Sequence, residues 1–161
     1  KKGYELTFGI AYIRDFVMNF HVIAESFETS VPWSQTLSLC ERVKKRLFDE
    51  HQARALPGKP FITCRVTQVY PTGVAVYFYF AFSYKGVENP TEVYLELEHI
   101  AREEILAAGG SISHHHGVGK HRTPWIETEY GSSYYVLRKL KSAFDPRGIM
   151  NMGTIFPLEE A

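Results

Sequence analysis

Phe61-Ile62-Thr63-Cys64-Arg65-Val66-Thr67-Gln68-Val69-Tyr70, the turn Pro71-Thr72-Gly73, and Val74-Ala75-Val76-Tyr77-Phe78-Tyr79-Phe80-Ala81-Phe82-Ser83-Tyr84 decide the fold. Two runs rich in β-branched and aromatic residues flank a short Pro/Gly turn, which is the pattern of a β-hairpin over 61–70 and 74–84. Upstream, Phe20 to Phe27 alternates bulky and polar residues and reads as another strand. Between them Pro32 is placed to open a helix, and Trp33 to His51 carries Leu37, Cys40, Val43 and Leu47 on one face. The basic cluster Arg42, Lys44, Lys45 and Arg46 reads as a solvated helix face. Ala55 to Pro60 is a loop by its prolines and glycine.

Pro90 opens a helix over Thr91 to Ala108 that Gly109 and Gly110 cap, and Ser111 to Ser113 is expected as a short last strand. The order is then β-α-β-β-α-β, an α+β, ferredoxin-like domain with an antiparallel sheet. Side-chain alternation sorts that sheet into two faces. Val22, Ala24, Ile62, Cys64, Val66, Val76, Phe78, Phe80 and Phe82 are assigned to the core. His21, Glu25, Thr63, Arg65, Thr67, Tyr77 and Tyr79 are assigned to a polar face that reads as the roof of a site whose floor lies in another domain.

Outside this frame, Glu5 to Asn19 has Leu6, Ile10, Ile13 and Val17 at helical spacing, with Arg14 and Asp15 off the stripe. Ser132 to Phe144 is a second amphipathic helix, broken by Asp145-Pro146-Arg147-Gly148, and the tail from Ile149 to Pro157 is irregular and apolar enough to need a neighbouring domain. At 161 residues, 45% of them hydrophobic, the chain suits one globular domain with its own core. Eighteen basic against eighteen acidic residues leave no net field, which argues against nucleic acid as a partner. Two cysteines, Cys40 and Cys64, are expected as reduced buried thiols of an intracellular protein. No apolar run is long enough for a transmembrane span. The chain starts at Lys1, without a signal peptide, and Glu159-Glu160-Ala161 is not a peroxisomal signal; it reads as a piece of something longer.

The chemistry concentrates in Gly109-Gly110-Ser111-Ile112-Ser113-His114-His115-His116-Gly117-Val118-Gly119-Lys120-His121. Imidazoles exchange protons near neutral pH, and flanking glycines let the backbone approach a ligand closely. Were the segment extended, His114 and His116 would point one way and His115 the other. Consecutive histidines cannot all converge on one ion, and the spaced partners of a zinc site are missing nearby, so no metal is expected. No phosphate-binding or dinucleotide fingerprint occurs, since Gly117-Val118-Gly119 follows histidines and not a strand.

In family order, Ala11-Tyr12-Ile13-Arg14-Asp15, Glu25-Ser26-Phe27-Glu28-Thr29-Ser30, Thr63-Cys64-Arg65-Val66-Thr67-Gln68, Tyr77-Phe78-Tyr79-Phe80-Ala81-Phe82, Ala101-Arg102-Glu103-Glu104-Ile105-Leu106 and Ser113 to Lys120 resemble the C-terminal part of the alkyldihydroxyacetonephosphate synthases, also called alkylglycerone-phosphate synthases. The Phe144-Asp145-Pro146-Arg147-Gly148-Ile149 segment is shared more widely, among vanillyl-alcohol oxidase-type flavoproteins.

This resemblance implies that residues 1–161 are the C-terminal cap, or substrate, domain of an FAD enzyme whose FAD-binding domain is absent from the chain. It implies exchange of the acyl chain of acyl-dihydroxyacetone phosphate for a long-chain fatty alcohol, without net redox change, in peroxisomal ether-lipid and plasmalogen synthesis. Carried over by position, it makes Tyr77 the acid/base, gives His114, His115 and His116 roles in placing or deprotonating substrate, and sets Arg14 at the substrate phosphate, with Arg65, Tyr79 and Glu25 in support. FAD would be bound mainly by the missing domain, and a homodimer is compatible with this picture. Two rivals stay open. One is the cap of a lactate- or glycolate-type FAD dehydrogenase, which carries Gly-Glu-His-Gly where this chain has His114-His115-His116-Gly117. The other is a stand-alone ferredoxin-like binding module.

Overall fold

A computed structural model describes residues 2–157, without the side chains of residues 2–4, 6, 7 and 11. Leu6 of the expected stripe, Lys1 and Glu159-Glu160-Ala161 therefore lie outside what is described. The chain forms two compact units, 1–110 and 111–161.

The first unit comprises α1 (Lys2–Met18), β1 (Val22–Pro32), a 3-10 turn (Trp33–Gln35), α2 (Thr36–Ala53), β2 (Phe61–Val69), β3 (Gly73–Ser83) and α3 (Pro90–Ala107). Its sheet is antiparallel with order β1-β3-β2. The α+β class and the hairpin are as expected, but Ser111 to Ser113 makes no strand, so the sheet has three strands instead of four. The preceding turn explains this. Gly109 takes φ +77° and donates to Leu106, while the Gly110 N–H reaches back to Ile105 at 2.9 Å. That double closure is a Schellman motif and turns the chain sharply. Gly110 has no room for a side chain, because a Cβ there would meet Ile105 Cγ2 and Thr29 Oγ1 at 2.8 Å.

β3 is central, so its apolar residues are covered. Val74, Val76, Phe78, Phe80 and Phe82 join Phe27 and Val31 of β1, Leu39, Val43 and Leu47 of α2, and Tyr94, Leu97, Ala101 and Ile105 of α3 in one core. Phe27 stacks on its cross-strand partner Phe78 with ring centroids 5.2 Å apart. That pairing corrects the face assignment of β1. With Phe27 opposite Phe78, the odd residues of β1 share the core parity, and Val22 and Ala24 fall on the open face. Their apolarity is accounted for by α1, whose Ile10, Ile13 and Val17 line a cavity together with them. Glu25 has the core parity, opposite Phe80, and stays exposed because β1 is an edge strand. His21 lies outside the strand, in a turn at φ +58° beside the Tyr84 ring, so it belongs to neither face.

In α2 the buried row is Leu39, Val43, Leu47 and His51, four residues apart, while Leu37 points outward with 71% exposure. His51 is fully buried, edge-on to Phe82, and neither ring nitrogen has a hydrogen-bond partner. Burial lowers its pKa from the ordinary value. The unfolded chain therefore binds the extra proton first, and stability that is complete above pH ~6.5 falls as the pH drops below it. We expect urea unfolding midpoints to fall between pH 7.5 and 5, and to fall less in His51→Phe; equal acid sensitivity would remove His51 from this account. Cys40 and Cys64 are free thiols on α2 and β2. Burial, with the neighbouring Cys64, pushes Cys40 up to about 12, which leaves it a packing group and not a nucleophile.

The second unit comprises a 3-10 turn (Thr123–Trp125), α4 (Ile126–Tyr130) and α5 (Ser133–Phe144), followed by the irregular tail. Asp145 organises the end of α5. Its carboxylate takes Lys141 Nζ at 2.6 Å and the backbone N–H groups of Ile149 and Met150. Lys141 first, then these backbone donors, hold its pKa below the usual carboxylate value.

Candidate functional site

The open face of the sheet is built in rows by the strand register. Glu28, Tyr77 and Arg65 stand side by side across β1, β3 and β2; the next row is Ser26, Tyr79 and Thr63; the next is Ala24, Ala81 and Phe61. Rows two residues apart are about 7 Å apart along the strands. The face therefore passes from charged and phenolic groups at one end to aliphatic and aromatic ones at the other over roughly 13 Å.

At the polar end the groups touch. Ser26 Oγ donates to Tyr77 Oη at 3.2 Å, a diagonal contact that fixes the phenol. The rings of Tyr77 and Tyr79 lean together, with centroids 5.2 Å apart, and the Arg65 guanidinium lies over both, 6.0 and 5.4 Å from their centroids. Glu28 is fully buried. Ser26 and Glu28 are absent from the site expected on sequence. Their signal was present, because once Phe27 is placed in the core the alternation of Ser26-Phe27-Glu28 puts both neighbours on the tyrosine face.

At the apolar end α1 and the sheet form an open groove of about 500 Å³, lined by Ile10, Ile13 and Val17 of the helix and by Val22, Phe61 and Ala81 of the strands. Arg14 lines it too, so it sits on the apolar side of the helix and not off the stripe. Its Nη1 holds Glu25 Oε1 at 2.6 Å, which brings two expected site residues together as an ion pair at this cavity. Glu25 is not on the tyrosine face, for the register reason given above.

In the second unit the histidines are not an alternating strand. Their segment is a series of bends, and successive rings pack nearly perpendicular, with centroids 5.3 Å apart for His114 and His115 and 4.8 Å for His115 and His116. His114 Nδ1 and His115 Nδ1 approach to 3.1 Å, a hydrogen bond in which one ring donates and the other accepts. Gly117 at φ +78° lets the chain turn after the triplet. Arg122 Nη1 then grips the Gly117 carbonyl at 2.7 Å, and Thr123 Oγ1 donates to that of Gly119 at 2.9 Å, so the loop is held from its far side. Such a cluster can hold and pass a proton from ring to ring.

As for a flavin, the donor set fits one part of it. Two phenols and a guanidinium offer hydrogen-bond donors suited to an isoalloxazine edge. Gly117-Val118-Gly119 leads only to a short 3-10 turn and α4, which is no cradle for a pyrophosphate.

Residues 3–155 match the family model described as FAD linked oxidases, C-terminal domain. Among curated proteins, alkyldihydroxyacetonephosphate synthase of Caenorhabditis elegans is 52% identical over 148 residues, 91% of this chain and 25% of that protein. The uncharacterized FAD-linked oxidoreductase YgcU of Escherichia coli K12 is 43% identical over 139 residues, 83% of this chain and 28% of its own length. A solved structure of alkyldihydroxyacetonephosphate synthase superposes with a TM-score of 0.63 at 26% identity, covering 94% of this chain and 24% of that one. The chain thus spans about a quarter of the length of the relatives it matches. With the model match running over nearly all of its length, the chain belongs to the C-terminal domain family of the FAD-linked oxidases.

Proposed function

We propose that this chain is the substrate-facing cap of a flavin-dependent alkyltransferase, which exchanges the acyl chain of acyl-dihydroxyacetone phosphate for a long-chain fatty alcohol. The observation that carries this reading is the graded sheet face. A phosphorylated amphiphile matches a surface that carries phenols and Arg65 at one end and, at the other, an aliphatic groove that Arg14 also lines. The 52% identity to the nematode synthase supports the same choice over a dehydrogenase. The FAD-binding domain, with the pyrophosphate site that this chain lacks among its described residues, would lie elsewhere in the full-length protein. Peroxisomal ether-lipid and plasmalogen synthesis is the setting that goes with this activity. None of the described helices is long and apolar enough to cross a membrane.

When bound, the flavin supplies the electron-rich centre that makes exchange at the substrate carbon feasible. The residues of this chain bind, orient and move protons. Tyr77, held by Ser26, handles the proton of the entering alcohol, and the imidazoles of His114 to His116 place substrate and relay protons. Arg14 anchors the phosphate, for which it exchanges the Glu25 carboxylate.

Incubation of the full-length enzyme with palmitoyl-dihydroxyacetone phosphate and labelled hexadecanol should yield the labelled ether and free palmitate. Oxidation of a 2-hydroxy acid without ether formation would move the assignment to a glycolate-type dehydrogenase. Arg14→Lys keeps the charge and loses the paired hydrogen bonds, so the apparent KM for the phosphorylated substrate should rise about tenfold with the fold intact. Unchanged affinity would take Arg14 off the phosphate.

A further inference from the structure

Five of the six arginines in residues 2–110 are already committed. Arg14 is paired with Glu25, Arg42 with Glu104, Arg46 with Glu50, Arg54 with Glu50 and Glu96, and Arg102 with Glu98. Arg65 alone has no ion pair among the described residues, although it is exposed on the open face in the row of Tyr77. The carboxylate of its own row, Glu28, sits on β1, two strand spacings away, or about 10 Å. What holds Arg65 is a pair of ring faces, Tyr77 at 6.0 Å and Tyr79 at 5.4 Å. An aromatic face neutralises no charge and accepts no paired hydrogen bonds, so the guanidinium keeps its capacity to bind two oxygens of one anion.

We propose that Arg65 is a second oxyanion-binding residue of the site, taking a carboxylate or phosphate group of the substrate beside Tyr77. This rests on the reading of the chain as an acyl-for-alkyl exchange cap. Such a reaction presents two oxyanions, the phosphate that is always there and a carboxylate that the reaction creates. The acyloxy group departs with the electron pair of its bond to carbon, while the alcohol oxygen supplies the pair for the new bond and gives up one proton. One cation at the cavity cannot serve both groups. Arg14 stands at the cavity with Glu25, whereas Arg65 stands at the phenols, about two rows away along the strands.

The test uses the full-length flavin enzyme and titration calorimetry with three probes: decanoate, dihydroxyacetone phosphate and 1-decanol. In Arg65→Gln, binding of decanoate or of dihydroxyacetone phosphate should weaken about tenfold or more, and 1-decanol should bind as before. Which anion weakens names the group that Arg65 holds. Arg65→Lys should recover part of the loss, since it restores charge without the planar fork. If both anions bind Arg65→Gln within about twofold of normal, or if 1-decanol weakens as much as they do, Arg65 is a packing residue and the proposal is overturned. Should the wild-type enzyme form no alkyl ether while the anions still depend on Arg65, the functional reading fails and the oxyanion site stands.

Discussion

Tyr77→Phe should slow the proposed alkyl transfer by about a hundredfold or more, because it removes a hydroxyl that Ser26 holds at the site and leaves the ring packing in place. Ser26 donates to that oxygen at 3.2 Å, so the phenol is held in one orientation. Tyr79 makes a useful control. It lies two residues along on the same face, its ring within 5.2 Å of Tyr77, and receives the same guanidinium. Rings that lean together do not make the hydroxyls equivalent, since the strand separates their Cα atoms by about 7 Å. Tyr79→Phe should therefore cost far less. Turnover of both variants in the full-length enzyme, with flavin content matched by absorbance, decides the matter. Near-normal turnover of Tyr77→Phe beside loss in variants of His114, His115 or His116 would transfer the proton chemistry to the imidazoles.

Arg102→Met should cost about 2 to 3 kcal/mol of stability, concentrated at β1. Arg102 is 1% exposed, yet it is a helix arginine that sequence reasoning passes over. Its Nη1 donates to the Glu28 carbonyl at 2.8 Å, its guanidinium lies over Phe27 at 5.6 Å from the ring centroid, and Nη2 meets Glu98 at 3.4 Å. Methionine fills the aliphatic stem and loses all three. Glu98 is partly exposed and can turn to water, so the cost comes chiefly from the β1 carbonyl whose buried donor is gone. The measurement is amide hydrogen exchange along β1 together with the thermal midpoint. Unaltered protection at Phe27 to Ser30 would mean that Arg102 does not clamp the strand. Because Glu28 flanks Tyr77, loosened β1 should also lower turnover.

The two faces of the sheet show where local reading works and where it stops. β3 was legible because it is the central strand, and its alternation is visible without knowing its partners: Val76, Phe78, Phe80 and Phe82 inward, Tyr77 and Tyr79 outward. β2 alternates visibly too, with Ile62 and Cys64 packed on the core, but as an edge strand it leaves Val66 exposed, and a bulge between Val66 and Gln68 then shifts the register. β1 was not legible, because an edge strand next to a covering helix has apolar residues on both sides. Only the pairing of Phe27 with Phe78 decides that Val22 and Ala24 line the cavity and that Glu25 meets Arg14.

By itself the sequence determined the main helices, the hairpin, the core face of β3 and the concentration of imidazoles between glycines, since these depend on side-chain periodicity and local turn chemistry. Tertiary structure alone decided that the sheet of the described residues ends at three strands, that Ser26 orients Tyr77, that α1 and the sheet form an aliphatic groove and that Arg65 is held by two rings. Those facts depend on which residues of distant segments come into register. A strand's own pattern carries its period but not the identity of its neighbour.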